Sequence, residues 1–250
     1  MPQFFLPLDA GPLKEESAFR LTGPEAFHLV KVLRHKPGDV ITVLDGKGGR
    51  FEGVIDRVDG EAVVGRVLKK LASAKKSAEL RLYQGLLKAS HWDDVLDKAT
   101  QLGVASITPI LTPRTVVILR EGKAQAKKER WQRVVEAATK QCQRPTVPII
   151  GEPAEFRDAI RAARADEGAV TLVAWEGLCG ESAAAKLRPA LAEAKAVNVF
   201  IGPEGGFTDD EIELADSLGA STFGLGPRVL RSETAAVAAC ALVQYELGAL

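Results

Sequence analysis

Two stretches decide how this chain of 250 residues is read: Val197-Asn198-Val199-Phe200-Ile201-Gly202-Pro203-Glu204-Gly205-Gly206-Phe207, and then Thr222-Phe223-Gly224-Leu225-Gly226-Pro227-Arg228-Val229-Leu230-Arg231-Ser232-Glu233-Thr234-Ala235. Each runs from a β-branched or aromatic stretch through glycines into a segment with helical spacing. Glycine where a strand ends lets backbone N–H and C=O groups reach a ligand without side-chain bulk. Two such turns in consecutive βα units predict one pocket built from neighbouring strand ends, where open α/β sheets bind their ligands. Neither turn is a nucleotide fingerprint: no G-x-G-x-x-G follows the first strand, and no Gly-Lys-Ser/Thr is present. Glu176, after the strand spanning Val170 to Trp175, falls on the same rim; taken alone it is equally an ordinary loop glutamate.

Working outward, the rest of the second part alternates strands and helices. Leu80 to Leu87 and Ala105 to Leu111 read as strands, with a helix through Trp92, Val95, Leu96, Ala99 and Leu102 stopped by Gly103 between them. Residues 123–142 form a long basic helix, Thr208 with Glu211 makes a capping box for a helix at 209–218, and a last helix runs from Ser232 to Leu247. Ser221 to Leu225 is a further short strand. This alternation predicts an α/β domain with a mainly parallel sheet. The first 70 residues are β-rich instead. Val40 to Leu44, the glycine-rich turn at Asp45 to Gly49, and Phe51 to Ile55 form a hairpin, with a third strand over Glu61 to Leu68. A short helix lies between Thr22, its expected cap, and Arg34, with Pro24 in its first turn. Lys69 to Lys76 reads as a linker, and the division falls into residues 1–72 and 73–250.

Hydrophobic residues make up 46% and charged residues 26% of the chain, as in ordinary water-soluble domains. No apolar run of membrane-spanning length and no signal peptide are visible. Cys142, Cys179 and Cys240 lack zinc or disulfide spacing, so a cytoplasmic location without a metal is expected. Net charge is zero, yet residues 120–144 hold eight Lys or Arg against three Glu, while residues 145–220 hold six against fourteen Asp or Glu. A polyanion would meet the N-terminal module and the 120–144 segment and avoid the acidic stretch. His28, His35 and His91 are too scattered for a metal site, and a catalytic role for any of them is disfavoured.

The glycine turns resemble the signature segments of the bacterial 16S rRNA uridine-N3 methyltransferases, a family of the knotted SPOUT class. The resemblance extends to Lys88-Ala89-Ser90-His91-Trp92, to Lys98-Ala99-Thr100-Gln101-Leu102-Gly103-Val104, and to Pro109-Ile110-Leu111-Thr112-Pro113-Arg114-Thr115-Val116. It includes Gln141-Cys142-Gln143-Arg144 through Val147-Pro148, and in the N-terminal part His28-Leu29-Val30-Lys31-Val32-Leu33-Arg34 with Gly38-Asp39 and Asp45-Gly46. Gln101, Lys140 and Gln143 depart from the usual residues of the pattern. The resemblance implies an N-terminal PUA-like β-barrel that binds RNA, followed by an α/β methyltransferase domain tied in a deep trefoil. It implies S-adenosylmethionine as cofactor, held by Ala174 to Gly177 (with Glu176), by Ile201, Gly202, Pro203, Glu204, Gly205 and Gly206, and by Leu225, Gly226, Val229 and Leu230. It also implies 16S rRNA in the small ribosomal subunit as substrate, and a homodimer, for which the alanine-rich last helix permits close packing. The competing readings are a SPOUT enzyme acting on tRNA or another rRNA base, and a non-catalytic RNA-binding assembly factor.

Uracil N3 becomes nucleophilic only when its proton leaves. Arg228 or Arg231 cannot accept that proton, because guanidinium stays protonated, but either can stabilise charge on the uracil carbonyls. Glu233, and less readily Glu204, can accept it. Read without the family, Arg231 is a phosphate-binding residue and Glu233 a first-turn acid favoured by the helix dipole. For RNA contact the candidates are Arg34, His35 and Lys36 after the N-terminal helix, Lys47 and Arg50 around the hairpin turn, and Lys88, Arg114 and Arg144, with Lys127, Lys128, Arg130 and Arg133 as a basic helix face.

Overall fold

The computed structural model describes residues 3–7, 11–72, 78–119, 122, 124–179 and 183–250. The chain divides into two units, one of residues 1–76 with 139–147, the other of residues 77–138 with 148–250.

The first unit is a five-stranded sheet of β1 (Gln3–Phe5), β2 (Ala18–Leu21), β3 (Val40–Leu44), β4 (Arg50–Asp59) and β5 (Ala62–Lys70), in the spatial order β1-β3-β4-β5-β2. The hairpin expected from the alternation is β3–β4, paired antiparallel from Val40 with Val54 to Leu44 with Arg50. Its tip is held by Asp45, whose Oδ1 accepts from the backbone N–H of Lys47 and of Gly49, both at 2.8 Å. Phe4, Phe19, Leu21, Leu29, Ile41, Phe51 and Val63 form the core. Lys69 and Lys70 belong to β5 rather than to a linker, because β5 continues its ladder with Phe51 and Glu52; residues 73–77 lie outside the described set. The segment 139–147 is stitched in by Gly48 N–H to Pro145 O at 2.9 Å and Val147 N–H to Gly46 O at 3.0 Å.

The expected first helix is present but irregular. α1 (Gly23–Phe27) carries Pro24 in its first turn, and it passes into a π-turn over His28–Val32, closed by Leu33 N–H to His28 O at 2.9 Å. Thr22 has the extended backbone of a cap, yet its side chain accepts no hydrogen bond. Proline in the first turn removes one of the donors a cap would satisfy.

The second unit is a parallel sheet of β6 (Glu79–Gly85), β7 (Ser106–Leu111), β8 (Ile149–Ile150), β10 (Ala169–Ala174), β11 (Ala196–Ile201) and β12 (Ser221–Phe223), in the order β12-β10-β11-β6-β7-β8, with β9 (Ala154–Glu155) also on β7. Helices α2 (Ala89–Gln101), α3 (Ala124–Cys142), α4 (Phe156–Arg164), α5 (Ala183–Leu191), α6 (Asp209–Ser217) and α7 (Ser232–Glu246) alternate with the strands. Every residue of β11 is buried, as a central parallel strand requires. Phe200 stacks on Tyr83 with centroids 4.3 Å apart, and Phe156 and Phe207 complete that cluster. The capping box at Thr208 and Glu211 is formed in both directions. β12 ends at Phe223, two residues short of the expected strand. At the end of β6 a Cβ on Gly85 would lie 2.2 Å from Pro203 N, so only glycine lets the chain after β11 run this close beside the end of β6.

Candidate functional site

β10, β11 and β12 are parallel neighbours, so their carboxyl ends open on the same edge of the sheet, and a cleft lies there. Its wall consists of Ala174, Trp175, Glu176 and Cys179 after β10, Ile201 through Gly206 after β11, Leu225, Gly226, Arg228, Val229 and Leu230 after β12, and Ser232 and Ala235 on the first turn of α7. Of the residues named from the sequence as cofactor contacts, all but Gly177 line this one cleft. Cys179, Ser232 and Ala235 join them unforeseen.

The turns are braced from outside by side chains. Arg114 Nη1 donates to Gly205 O and Phe207 O, each at 2.9 Å. Arg114, expected on the RNA surface, is thereby tied to the glycine turn. The Glu204 carboxylate accepts from Lys88 N–H at 3.2 Å, at the start of α2, where free N–H groups favour negative charge. Trp175 N–H donates to Phe223 O at 3.0 Å, and the Cys179 thiol donates to Gly226 O at 3.2 Å.

Beneath the cleft lies a polar node that no sequence pattern announced. Gln84, fully buried at the end of β6, donates from Nε2 to Ser232 Oγ at 2.9 Å and to Gly85 O at 3.0 Å. Ser232 Oγ in turn donates to Gly202 O at 2.5 Å. A buried hydroxyl and amide joined in this way fix the start of α7 against the end of β11. In β6 (ELRLYQG) Gln84 is one of several polar residues, and nothing in the sequence sets it apart as buried.

Arg228 is exposed on the cleft wall and Arg231 is exposed as the N-cap of α7; neither guanidinium has a partner among the described residues. Glu233, in the first turn of α7, is off the wall, and its Oε1 lies 3.3 Å from His91 Nδ1 in the first turn of α2. α2 and α7 pack side by side and bring His91 to the carboxylate from 142 residues away, a pairing the sequence did not announce.

Six of the RNA candidates belong to the first unit. Arg34, Lys36 and Lys47 are exposed, whereas Arg50 and Arg144 are half-buried, and burial lowers the pKa of the Arg144 guanidinium. His35 Nδ1 and Lys36 N–H each lie 2.9 Å from Asp39 Oδ2. The N–H of Lys36 and the ring of His35 hold the Asp39 carboxyl below its ordinary pKa. The basic face of α3 is smaller than its composition suggests, because Lys128 pairs with Glu152 and Arg130 with Asp93. The exposed side chain of Lys88 stays available.

Residues 74–244 match the RNA methyltransferase domain family, and residues 21–68 match an RNA methyltransferase PUA domain. Ribosomal RNA small subunit methyltransferase E of Bacillus subtilis is 28% identical over 249 residues, spanning 98% of this chain and 97% of that protein. The protein of the same name from Synechocystis is 31% identical over 91% of this chain and 73% of its own length. Among solved structures, a methyltransferase of Legionella pneumophila in complex with the cofactor SAM is 30% identical with a TM-score of 0.78, covering 97% of this chain and 96% of that one. Ribosomal RNA small subunit methyltransferase E of Neisseria gonorrhoeae, bound to S-adenosyl methionine, is 28% identical with a TM-score of 0.79, covering 98% and 97%. A PUA-like unit is thus followed by a SPOUT-type α/β unit, and the chain belongs to the RNA methyltransferase family represented by ribosomal RNA small subunit methyltransferase E.

Proposed function

We propose that this chain transfers a methyl group from S-adenosylmethionine to N3 of one uridine of 16S rRNA within the small ribosomal subunit. The observation that carries this reading is the cleft: three strand-end loops and the first turn of α7 converge on it, two of the loops rich in glycine. The residues fit the cofactor. At Gly226, where φ is +96°, nothing lies within 4 Å of the position a Cβ would take, so the cradle is open because no side chain fills it. Ile201, Leu225, Val229 and Leu230 supply apolar walls for an adenine, and the backbone of the three loops supplies polar groups for its edge. When bound, S-adenosylmethionine supplies an electrophilic sulfonium methyl that must be met in line.

The chain's own residues prepare the nucleophile. Arg228 or Arg231 faces the uracil carbonyls and stabilises the charge that spreads over them as N3 loses its proton. Glu233 takes that proton on a carboxylate oxygen, and His91 holds the carboxylate in place. The functional boundary lies at 72/73, with the first unit docking RNA. The trefoil threading belongs to the same reading. A second copy of the chain covers the outer face of α7, where Leu242 and Tyr245 are exposed at 38% and 66%. Mass mapping of 16S rRNA nucleosides from cells with and without the gene is the test. Loss of a single 3-methyluridine is expected. A different lost modification, on tRNA or another rRNA base, would replace the substrate, and no loss at all would leave an assembly factor.

A further inference from the structure

The first unit carries an exposed apolar strip that its fold does not use. Phe27 is 63% exposed, Val32 57% and Leu33 41%, all on the outer side of α1 and the π-turn. Large apolar side chains left together in water mark an interaction surface. The π-turn, closed by the Leu33 N–H to His28 O bond, follows directly on α1, so the exposed residues at 27, 32 and 33 belong to one short continuous segment.

The charges around the strip are of one sign. Lys31, Arg34 and Lys36 are exposed there, and no acidic residue occurs between Ala26 and Pro37. The flanking acids are already engaged: Glu25 accepts from Phe5 N–H at 3.3 Å and lies 3.9 Å from Lys140 Nζ, and Asp39 holds His35 and Lys36. Arg34 sits at φ +59°, a left-handed backbone that glycine would adopt without strain.

We propose that this face docks an unpaired stretch of RNA, with one base stacked on Phe27 and adjacent phosphates held by Lys31 and Arg34. The inference rests on the RNA substrate proposed above and names the contact that seats it. An aromatic ring beside uncommitted cations is how single-stranded nucleotides are held, by π-face and phosphate rather than by base edges. The strip lies within residues 21–68, the part that matches an RNA methyltransferase PUA domain.

The test measures binding of the full-length protein to small ribosomal subunits from cells lacking the gene, between about 50 and 200 mM salt, with S-adenosylmethionine affinity and thermal stability followed alongside. Phe27→Ala should weaken subunit binding roughly tenfold without changing its salt slope, and Phe27→Leu should do the same, while Phe27→Trp should bind as wild type. Arg34→Gly should make the salt slope shallower by about one, with melting temperature unchanged or raised. Cofactor affinity should stay constant throughout. Wild-type binding by Phe27→Ala overturns the proposal. Full binding by Phe27→Leu replaces stacking with a generic apolar contact to protein, and binding to phosphatidylserine vesicles that Phe27→Ala abolishes replaces RNA with a membrane. A wild-type protein that neither binds nor methylates the subunits overturns the proposed function itself, whatever the variants do.

Discussion

The cleft of the second unit and the strip of the first treat their side chains in opposite ways. Around the cleft, polar side chains other than Arg228 are largely engaged with the protein itself: Arg114 with two carbonyls, Glu204 with the start of α2, Ser232 with Gly202, Cys179 with Gly226. What remains free to face a ligand there is mostly backbone. On the strip the backbone is engaged in the helix, while Phe27, Lys31 and Arg34 project unpartnered among the described residues. A backbone site is rigid and brittle, because one added side chain blocks it. A side-chain site is graded, because each residue adds a separable increment.

The largest expected effect breaks the brittle half. Gly226→Val puts a branched side chain on a left-handed backbone and into the open cradle. Calorimetry should show S-adenosylmethionine affinity falling by at least about a hundredfold, equivalent to ~3 kcal/mol, with RNA binding retained. Unchanged cofactor affinity would move the site elsewhere.

Glu233→Gln comes next, since it removes the proposed proton acceptor and spares both binding surfaces. Single-turnover methyl transfer with saturating cofactor should slow by roughly 10²-fold or more, and the limb of the pH profile that reports the base should vanish. His91→Gln keeps a hydrogen-bond donor beside the carboxylate and should retain most of the rate, whereas His91→Ala should lose roughly tenfold. A Glu233→Gln enzyme with the wild-type rate and profile would leave uracil to lose its proton to water beside the arginine.

Thr208→Ala sets the floor of the comparison. It removes the cap of α6 beside the glycine turn without touching either surface. It should cost about 1 kcal/mol and lower the melting temperature by roughly 2–4 °C, with both affinities unchanged. A drop in cofactor affinity of the same size as in Gly226→Val would mean that the turn depends on its cap and is softer than its bracing suggests.

What could be read in the sequence was whatever is encoded locally. Glycine at a strand end, the Thr208–Glu211 box and the alternation around Asp45-Gly46 each declare themselves within a few residues; the glycine turns placed the pocket, and the family resemblance supplied the individual lining residues. The remainder depends on residues that meet only after folding. Gln84 finds Ser232 across 148 residues, Arg114 finds Gly205 across 91, and His91 finds Glu233 across 142; none of these pairings leaves a periodic trace. The same holds for the basic helix, whose Lys128 and Arg130 counted as free cations until Glu152 and Asp93 were seen beside them. The π-turn was hidden for a different reason, since its apolar spacing is close to that of an ordinary helix over so few residues.

The node at Gln84, Ser232 and Gly202 sets a schedule for synthesis. Chains grow from the N-terminus, and domains form as their segments emerge. Gln84 is made early and Gly202 late, yet neither completes its hydrogen bonds until Ser232 arrives with α7. A nascent or truncated chain ending at Leu225 would carry both the RNA strip and the first glycine turn but no finished cleft. On the docking proposed above, such a chain would bind the substrate without modifying it, and premature termination would yield a competitor rather than a slower enzyme.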